Sequence, residues 1–340
     1  MSEDALVNTG AVNWPDPDSA YFTVRRMQTK LHHWATKEPG RRFGDLHNLV
    51  YDPAFLVAAW ERVSTNKGAK TPGIDKATAA QIETGIGVEA FLGQIRNSLK
   101  SGGFRPVEVR QVMIPKANGK RRRLGIPTIA DRVVQASLKL VLEPIFEADF
   151  KPCSYGFRPN RRAQDAISEI HIFGTNKYEW VLECDIKACF DEISHTALMD
   201  RLRARIKDKR ICSLVRAFLR SGIFTELGGR EETLTGTPQG GVVSPVLSNI
   251  YLDRLDKFIE QTLLPAHNRG ERRTPYRPYM RLWQRAYRLE QKGKWEDGRS
   301  LRKQMKAMPS RDPDDPAYRR LRYCRYADDC APRTQLEVAM

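Results

Sequence analysis

Glu183-Cys184-Asp185-Ile186-Lys187-Ala188-Cys189-Phe190-Asp191, Gly236-Thr237-Pro238-Gln239-Gly240-Gly241-Val242-Val243-Ser244-Pro245 and Arg325-Tyr326-Ala327-Asp328-Asp329 are the segments on which the reading of this chain turns. Singly, each is a modest signal. An Asp at a strand end is usually a cap or turn former, a Thr-Pro-Gln-Gly-Gly stretch is usually a turn, and adjacent Asp residues usually mark a solvated loop. Together, in this order, they are hard to reach by chance. The apolar run from Trp180 to Cys184 reads as one short strand that delivers Asp185 at its exit. Ser194 then caps a helix that presents Leu198, Leu202 and Ile206 inward.

Working outward, Val107 to Pro127 reads as two β-like runs around Ala117-Asn118-Gly119-Lys120, where an Asn-Gly pair supplies the positive φ angles of a tight hairpin. The hairpin carries Lys116, Lys120, Arg121, Arg122 and Arg123. A buried-type helix follows, with Val133, Val134, Leu138, Val141, Leu142, Ile145 and Phe146 on its apolar side. Asn66 to Asp75 is rich in breakers and reads as a loop, either a functional one or a plain linker. Tyr21, Val24, Met27, Leu31 and Trp34 recur at three and four, one face of a helix, after an unstructured stretch over residues 1–19. From Glu271 to Arg322 there are 16 Lys or Arg against 7 Asp or Glu, interleaved with Tyr276, Tyr279, Trp283, Tyr287 and Trp295. That mixture suits a strand of nucleic acid, with phosphates on cations and bases on rings. The alternative is that the aromatics pack inside a helical insertion.

The 340 residues, 41% of them hydrophobic, suffice for two or more packed subdomains. With 57 Lys and Arg against 41 Asp and Glu the net charge is +16, so polyanions, nucleic acid first, are the expected partners. No apolar run of membrane-spanning length occurs, and Met1 to Asp18 is acidic rather than leader-like, so no membrane partner and a cytoplasmic location are expected. Six scattered cysteines, without a CxxC pair, read as reduced thiols. The sequence assigns no oligomeric state.

The three segments resemble the palm motifs of reverse transcriptases, and most closely those of group II intron reverse transcriptase/maturases. The likeness runs from about Phe43 to Asp329 and takes in Ile114-Pro115-Lys116, Leu124-Gly125-Ile126-Pro127-Thr128, Ser154-Tyr155-Gly156-Phe157-Arg158-Pro159 and Ser248-Asn249-Ile250-Tyr251-Leu252-Asp253. It implies an α+β fold, the fingers and palm of a right-hand polymerase with an antiparallel palm sheet backed by helices. The implied segments are a disordered 1–19, a helical extension over 20–100, fingers over 101–175 and a palm over 176–329 with its basic insertion. Residues 330–340 resemble nothing in the family, and Pro332 cannot donate to a central ladder. They read as the atypical tail of a truncated product, with no thumb and an incompletely supported Asp328-Asp329 hairpin.

The resemblance implies an RNA-directed DNA polymerase working with intron RNA, an RNA template, a DNA primer and dNTP substrates. Asp185, Asp328 and Asp329, with the Ile186 carbonyl, would hold two Mg2+ ions, Mn2+ being an alternative. Hard cations take oxygen ligands, and two ions about 4 Å apart can stabilise both the attacking and the leaving oxygen. Lys116 and Arg122 would grip the triphosphate, Phe190 would crowd the sugar 2′ carbon, Gln239 and Gly240 would face the nucleotide, and Arg158 would contact template or nucleotide or else form a structural ion pair. Two rivals remain open: a remnant that binds RNA without catalysis, and an RNA-dependent RNA polymerase, which Phe190 and the group II-like segments disfavour.

Overall fold

The computed structural model describes residues 12–115, 119, 121–175, 180–225, 228–237, 240–331 and 333–334. Asp16 accepts a hydrogen bond from the Ser19 amide (2.9 Å) and Pro17 takes the first turn, where its missing N–H costs nothing, so a helix runs over Pro17–Lys37. It therefore begins inside the stretch expected to be unstructured. A second capped helix, Pro53–Ser64, and a third, Ile129–Glu147, pack with it around a core of Leu31, Phe55, Leu56, Leu138 and Leu142. Pro144 lies inside the third helix and leaves the Leu140 carbonyl without its intrahelical donor. The Gln28 side-chain amide donates to that carbonyl at 3.0 Å, which is why a proline is tolerated there.

The strands of the described residues are short: β1 Val109–Pro115, β2 Arg121–Ile126, β3 Trp180–Val181, β4 Cys184–Asp185, β5 Ile223–Phe224, β6 Arg230–Glu231, β7 Leu321–Arg322, β8 Arg325–Tyr326, β9 Asp329–Cys330 and β10 Arg333–Thr334. The chain divides into two units that interleave along the sequence. Residues 1–152, 157–160 and 186–254 form the first, and 153–156, 161–185 and 255–340 the second. The first holds the helical core and the sheet β2-β1-β5-β6, in which β1 and β2 are antiparallel, Arg110 opposite Ile126, while β1 and β5 run parallel. The second holds two antiparallel three-stranded sheets, β3-β10-β7 and β4-β9-β8. The class is α+β.

Two expectations need correcting in the second unit. The run Trp180 to Cys184 is not one strand: β3 and β4 belong to different sheets, and the apolar Trp180, Val181 and Leu182 are exposed. The chain after Asp329 does continue a sheet. Cys330 pairs with both Cys184 and Arg325, and Arg333 pairs with both Val181 and Arg322. Since β9 ends at Cys330 and β10 begins at Arg333, neither ladder needs a donor from position 332, and the Asp328-Asp329 hairpin is supported on both sides.

Asp131 illustrates how tightly the first unit's core is closed. It starts the helix Ile129–Glu147, is buried, and takes hydrogen bonds with the Thr128 hydroxyl (2.8 Å), yet burial pushes its carboxyl up to about 6. A folded-state value above the unfolded one means that the native state binds this proton more tightly. The contribution is therefore full below about pH 4 and lost as pH rises through about 6, at most about 3 kcal/mol. Asp131→Asn should abolish this part of the pH dependence and leave the chain as stable or more so at pH 7.5. Urea unfolding at acid and neutral pH checks it; an unchanged slope would mean that other groups carry it.

Candidate active site

The strand register brings the three carboxylates of the sequence reading together within the second unit. In the β4–β9 ladder Asp185 stands directly opposite Asp329, so both side chains leave the sheet on the same face with Cβ atoms about 5 Å apart. Tyr326 pairs with Asp329 across the β8–β9 hairpin, which leaves Ala327 and Asp328 as its two-residue turn. Alternation sends Cys184 and Cys330 to the opposite face, where Cys330 is buried. Partial desolvation, then the Asp328, Asp185 and Glu183 carboxylates, hold Asp329 above the usual carboxylate range. Such crowding of like charge favours a cation.

Among the described residues no three His, Cys, Asp or Glu side chains form a ready-made metal cage. Magnesium does not require one: one or two carboxylates plus substrate phosphates and waters are its usual set, and all the donors here are hard oxygens. The residues present therefore fit a divalent ion that completes its shell on the substrate. The Ile186 carbonyl, next in the chain, accepts from the Cys189 amide at 3.2 Å and keeps a second lone pair.

Beneath the turn lies a polar network that the sequence did not announce. Arg325 is fully buried and its fork donates to both oxygens of buried Asp256 (2.8 and 2.7 Å). The same guanidinium donates to the Ser154 hydroxyl (2.7 Å) and to the carbonyl of Ala327 (2.6 Å), the residue before Asp328. Tyr323 adds its hydroxyl to Asp256 at 3.1 Å. Ala327 has φ +58°, a left-handed conformation that an L residue holds only when its surroundings impose it. Gly156 sits flush against that backbone, and a Cβ there would overlap the Ala327 amide nitrogen. Tyr155 and Arg325 share a main-chain hydrogen bond of 2.9 Å in the same place. The only local signal was a cation immediately before Tyr326 in an apolar strand context.

The remaining site residues fall in the first unit. Phe190 is half-buried and meets Phe157 edge to face, centroids 6.2 Å apart. Gly240 has φ +116°, and a Cβ on it would collide with the Gly125 carbonyl, so backbone meets backbone at the end of β2. Gly240, Gly125, Pro127, Asn66 and Thr71 line one cleft of about 270 Å³. Arg132 ties the Asn66 loop into it, donating to the carbonyls of Pro127 (2.9 Å), Gly68 (2.7 Å) and Thr71 (2.7 Å), so that segment is a pinned element rather than a linker. Arg158, expected at template or nucleotide, has its donors committed elsewhere. It is buried against Glu147 at 2.6 to 3.1 Å, donates to the Lys151 carbonyl at 2.6 Å and lies over Phe150, so the structural ion pair of the sequence reading is formed. Lys116, Gln239 and the side chain of Arg122 lie outside the described residues; the Arg122 backbone pairs with Ile114.

Residues 114–333 match the family described as reverse transcriptase (RNA-dependent DNA polymerase). The chain is 37% identical over 253 residues to Protein YkfC of Escherichia coli, covering 73% of this chain and 66% of that protein. It is 36% identical over 295 residues to the group II intron-encoded protein LtrA of Lactococcus lactis, covering 84% and 48% respectively. It is 32% identical over 288 residues to the putative COX1/OXI3 intron 1 protein of Saccharomyces cerevisiae, covering 84% and 33%. The chain thus spans a third to two thirds of the length of these relatives.

Proposed function

The chain belongs to the reverse transcriptase (RNA-dependent DNA polymerase) family and is a relative of group II intron-encoded proteins, and from that premise we propose that it copies RNA into DNA in the service of an intron's splicing and mobility. The observation that carries the reading is the register of Asp185 against Asp329 with Asp328 in the adjoining turn. Two carboxylates on one sheet face with a third in the adjoining turn, in a chain of net charge +16, suit a cation site on a protein that binds polyanions. The partners are intron RNA, an RNA template with a DNA primer, and dNTPs, in a cytoplasmic setting; no helix among the described residues is long and apolar enough to cross a membrane.

In nucleotide addition the primer 3′ oxygen attacks the α-phosphate and pyrophosphate leaves, so negative charge grows on both the entering and the departing oxygen. Two magnesium ions held by Asp185, Asp328, Asp329 and the Ile186 carbonyl would neutralise that charge, and manganese could replace them. Asp185 and Asp329 act as opposed oxygen donors, and the β8–β9 turn sets where Asp328 points. Lys116 and Arg122 supply cations to the triphosphate, Gln239 orients base and sugar, and Gly240 lets the backbone come close to the nucleotide. Extension of a DNA primer on an RNA template with dNTPs and magnesium tests the reading. Binding of the primed template with no extension at any magnesium concentration would leave an RNA-binding protein without catalysis.

On this reading Phe190 would be the residue that rejects ribonucleotides. Phe190→Ala opens space beside the sugar, so the ratio of dNTP to rNTP incorporation on one template should fall at least about tenfold, roughly 1.4 kcal/mol. An unchanged ratio would return Phe190 to the status of core filler.

A further inference from the structure

The basic insertion of the second unit folds as a pair of helices, Arg277–Gln291 and Trp295–Met305. Ala286, Gly298 and Met305 are their buried residues, and Glu290 clamps Arg302 with two hydrogen bonds of 2.5 and 2.6 Å. The helix pair is thus held together by small residues and one bidentate ion pair. Its large aromatics stay outside. Trp283 and Tyr287, one turn apart on the first helix, are 39% and 48% exposed. Their rings lie parallel, 5° apart in plane with centroids separated by 5.7 Å. An aromatic side chain can bury about 150–250 Å² of apolar surface, so two left half-open side by side retain much that an occupant could cover.

The exposed charge of this helix is of one sign. Arg277, Arg281, Arg285 and Arg288 are exposed on the same helix, whose single carboxylate, Glu290, is already taken by Arg302. A protein surface seated here would have to bring carboxylates for those guanidinium groups as well as apolar area for the rings. A nucleic acid brings both in one polymer. Of its two forms, a duplex hides its base faces in its own stack, whereas a single strand offers them to any coplanar ring, with little regard to sequence.

We infer that Trp283 and Tyr287 are a stacking platform for the unpaired bases of a single-stranded RNA segment, whose phosphates are neutralised by the arginines of the same helix. The two parallel rings extend the base stack. Arg281, Arg285 and Arg288, spaced four and three apart, form a stripe of their own on another side of the helix from the rings and meet the backbone as it passes round. None of the catalytic carboxylates takes part, so the platform operates whether or not the chain polymerises.

The test uses the full chain, a labelled oligo(rU) of about 12 nucleotides and a blunt RNA duplex of the same length. Trp283→Ala with Tyr287→Ala should weaken the single strand about tenfold or more and the duplex less than about twofold. Trp283→Phe with Tyr287→Phe keeps a ring at each position and should restore most of the affinity. Changing Arg281, Arg285 and Arg288 to Gln should weaken both ligands and flatten the dependence of log affinity on log salt by about 2. Emission gives a readout free of folding effects: oligo(rU) should quench part of the tryptophan signal of the unsubstituted chain, and Trp283→Phe should remove that part. Three outcomes overturn the inference: unchanged single-strand affinity in the alanine pair, equal losses for single strand and duplex, or self-association abolished by the alanine pair with RNA binding untouched. Primer extension measured on the same protein reports on catalysis separately, so a chain that extends nothing but shows these effects keeps the platform.

Discussion

Asp185→Asn and Asp328→Asn should each abolish primer extension while leaving affinity for primed RNA nearly unchanged. Asparagine keeps the size of the side chain and its hydrogen bonding but removes the charge, so the sheet survives and the oxygen donor set for a divalent ion does not. Asp185 is exposed at the end of β4 and Asp328 lies in a turn, so neither substitution strands a buried polar group. Desolvation first and then like-charge repulsion hold Asp329 above the usual carboxylate range, and removing one neighbour relieves part of the repulsion, so stability should hold or rise slightly. Losing a ligand that stabilises charge on reacting oxygens costs orders of magnitude in rate, whereas duplex affinity rests on lysines and arginines that the variants keep. Single-turnover extension and anisotropy on the same primed template separate the two. Activity within about threefold of the unsubstituted chain in both variants would sink the metal assignment.

The meeting of these carboxylates was legible in the sequence because two short segments, each with its Asp at a strand end or turn, carried it. Their support was not. Asp256 and Arg325 are separated by the basic insertion, and no local pattern announces that a carboxylate in one helix will meet a guanidinium in a later strand. Trp180 to Cys184 looked like one strand because short apolar runs usually are; the break before Cys184 sends the two halves into different sheets and leaves the first exposed. For Arg158 the sequence left a substrate contact and a structural ion pair open, and the fold sets Glu147, on the preceding helix, against it. The helix Ile129–Glu147 was read well, since Leu138, Val141, Leu142, Ile145 and Phe146 keep one periodic face and all are buried, whereas on the face read for the first helix Val24 and Leu31 are buried but Tyr21 and Trp34 are exposed. Charge was the least reliable guide: the same guanidinium serves a phosphate, a carboxylate or a carbonyl, and only packing tells which.

The Asp256–Arg325 pair should prove the most fragile point of the second unit. Both side chains are almost wholly inaccessible, 1% on each side, so removing either leaves its partner's charge in a dry site. Arg325→Met strands the Asp256 carboxylate with the Tyr323 hydroxyl; Asp256→Asn strands a guanidinium. Each should cost about 3–5 kcal/mol. The double variant Asp256→Leu with Arg325→Met strands neither charge and should recover most of that stability, a coupling that a double-mutant cycle in urea measures directly. Activity should not recover with it. Arg325 also donates to the Ala327 carbonyl and the Ser154 hydroxyl, and methionine cannot, so the left-handed turn loses what holds it and Asp328 moves relative to Asp185. A displacement of about 1 Å can cost about 100-fold in rate. Stability restored without extension is thus the expected signature of a pair whose role is to aim a carboxylate, and it differs from a packing defect, which would return both together. Single variants within about 1 kcal/mol of the unsubstituted chain, or a double variant with full extension activity, would show that the turn is set by Gly156 and the strand register alone.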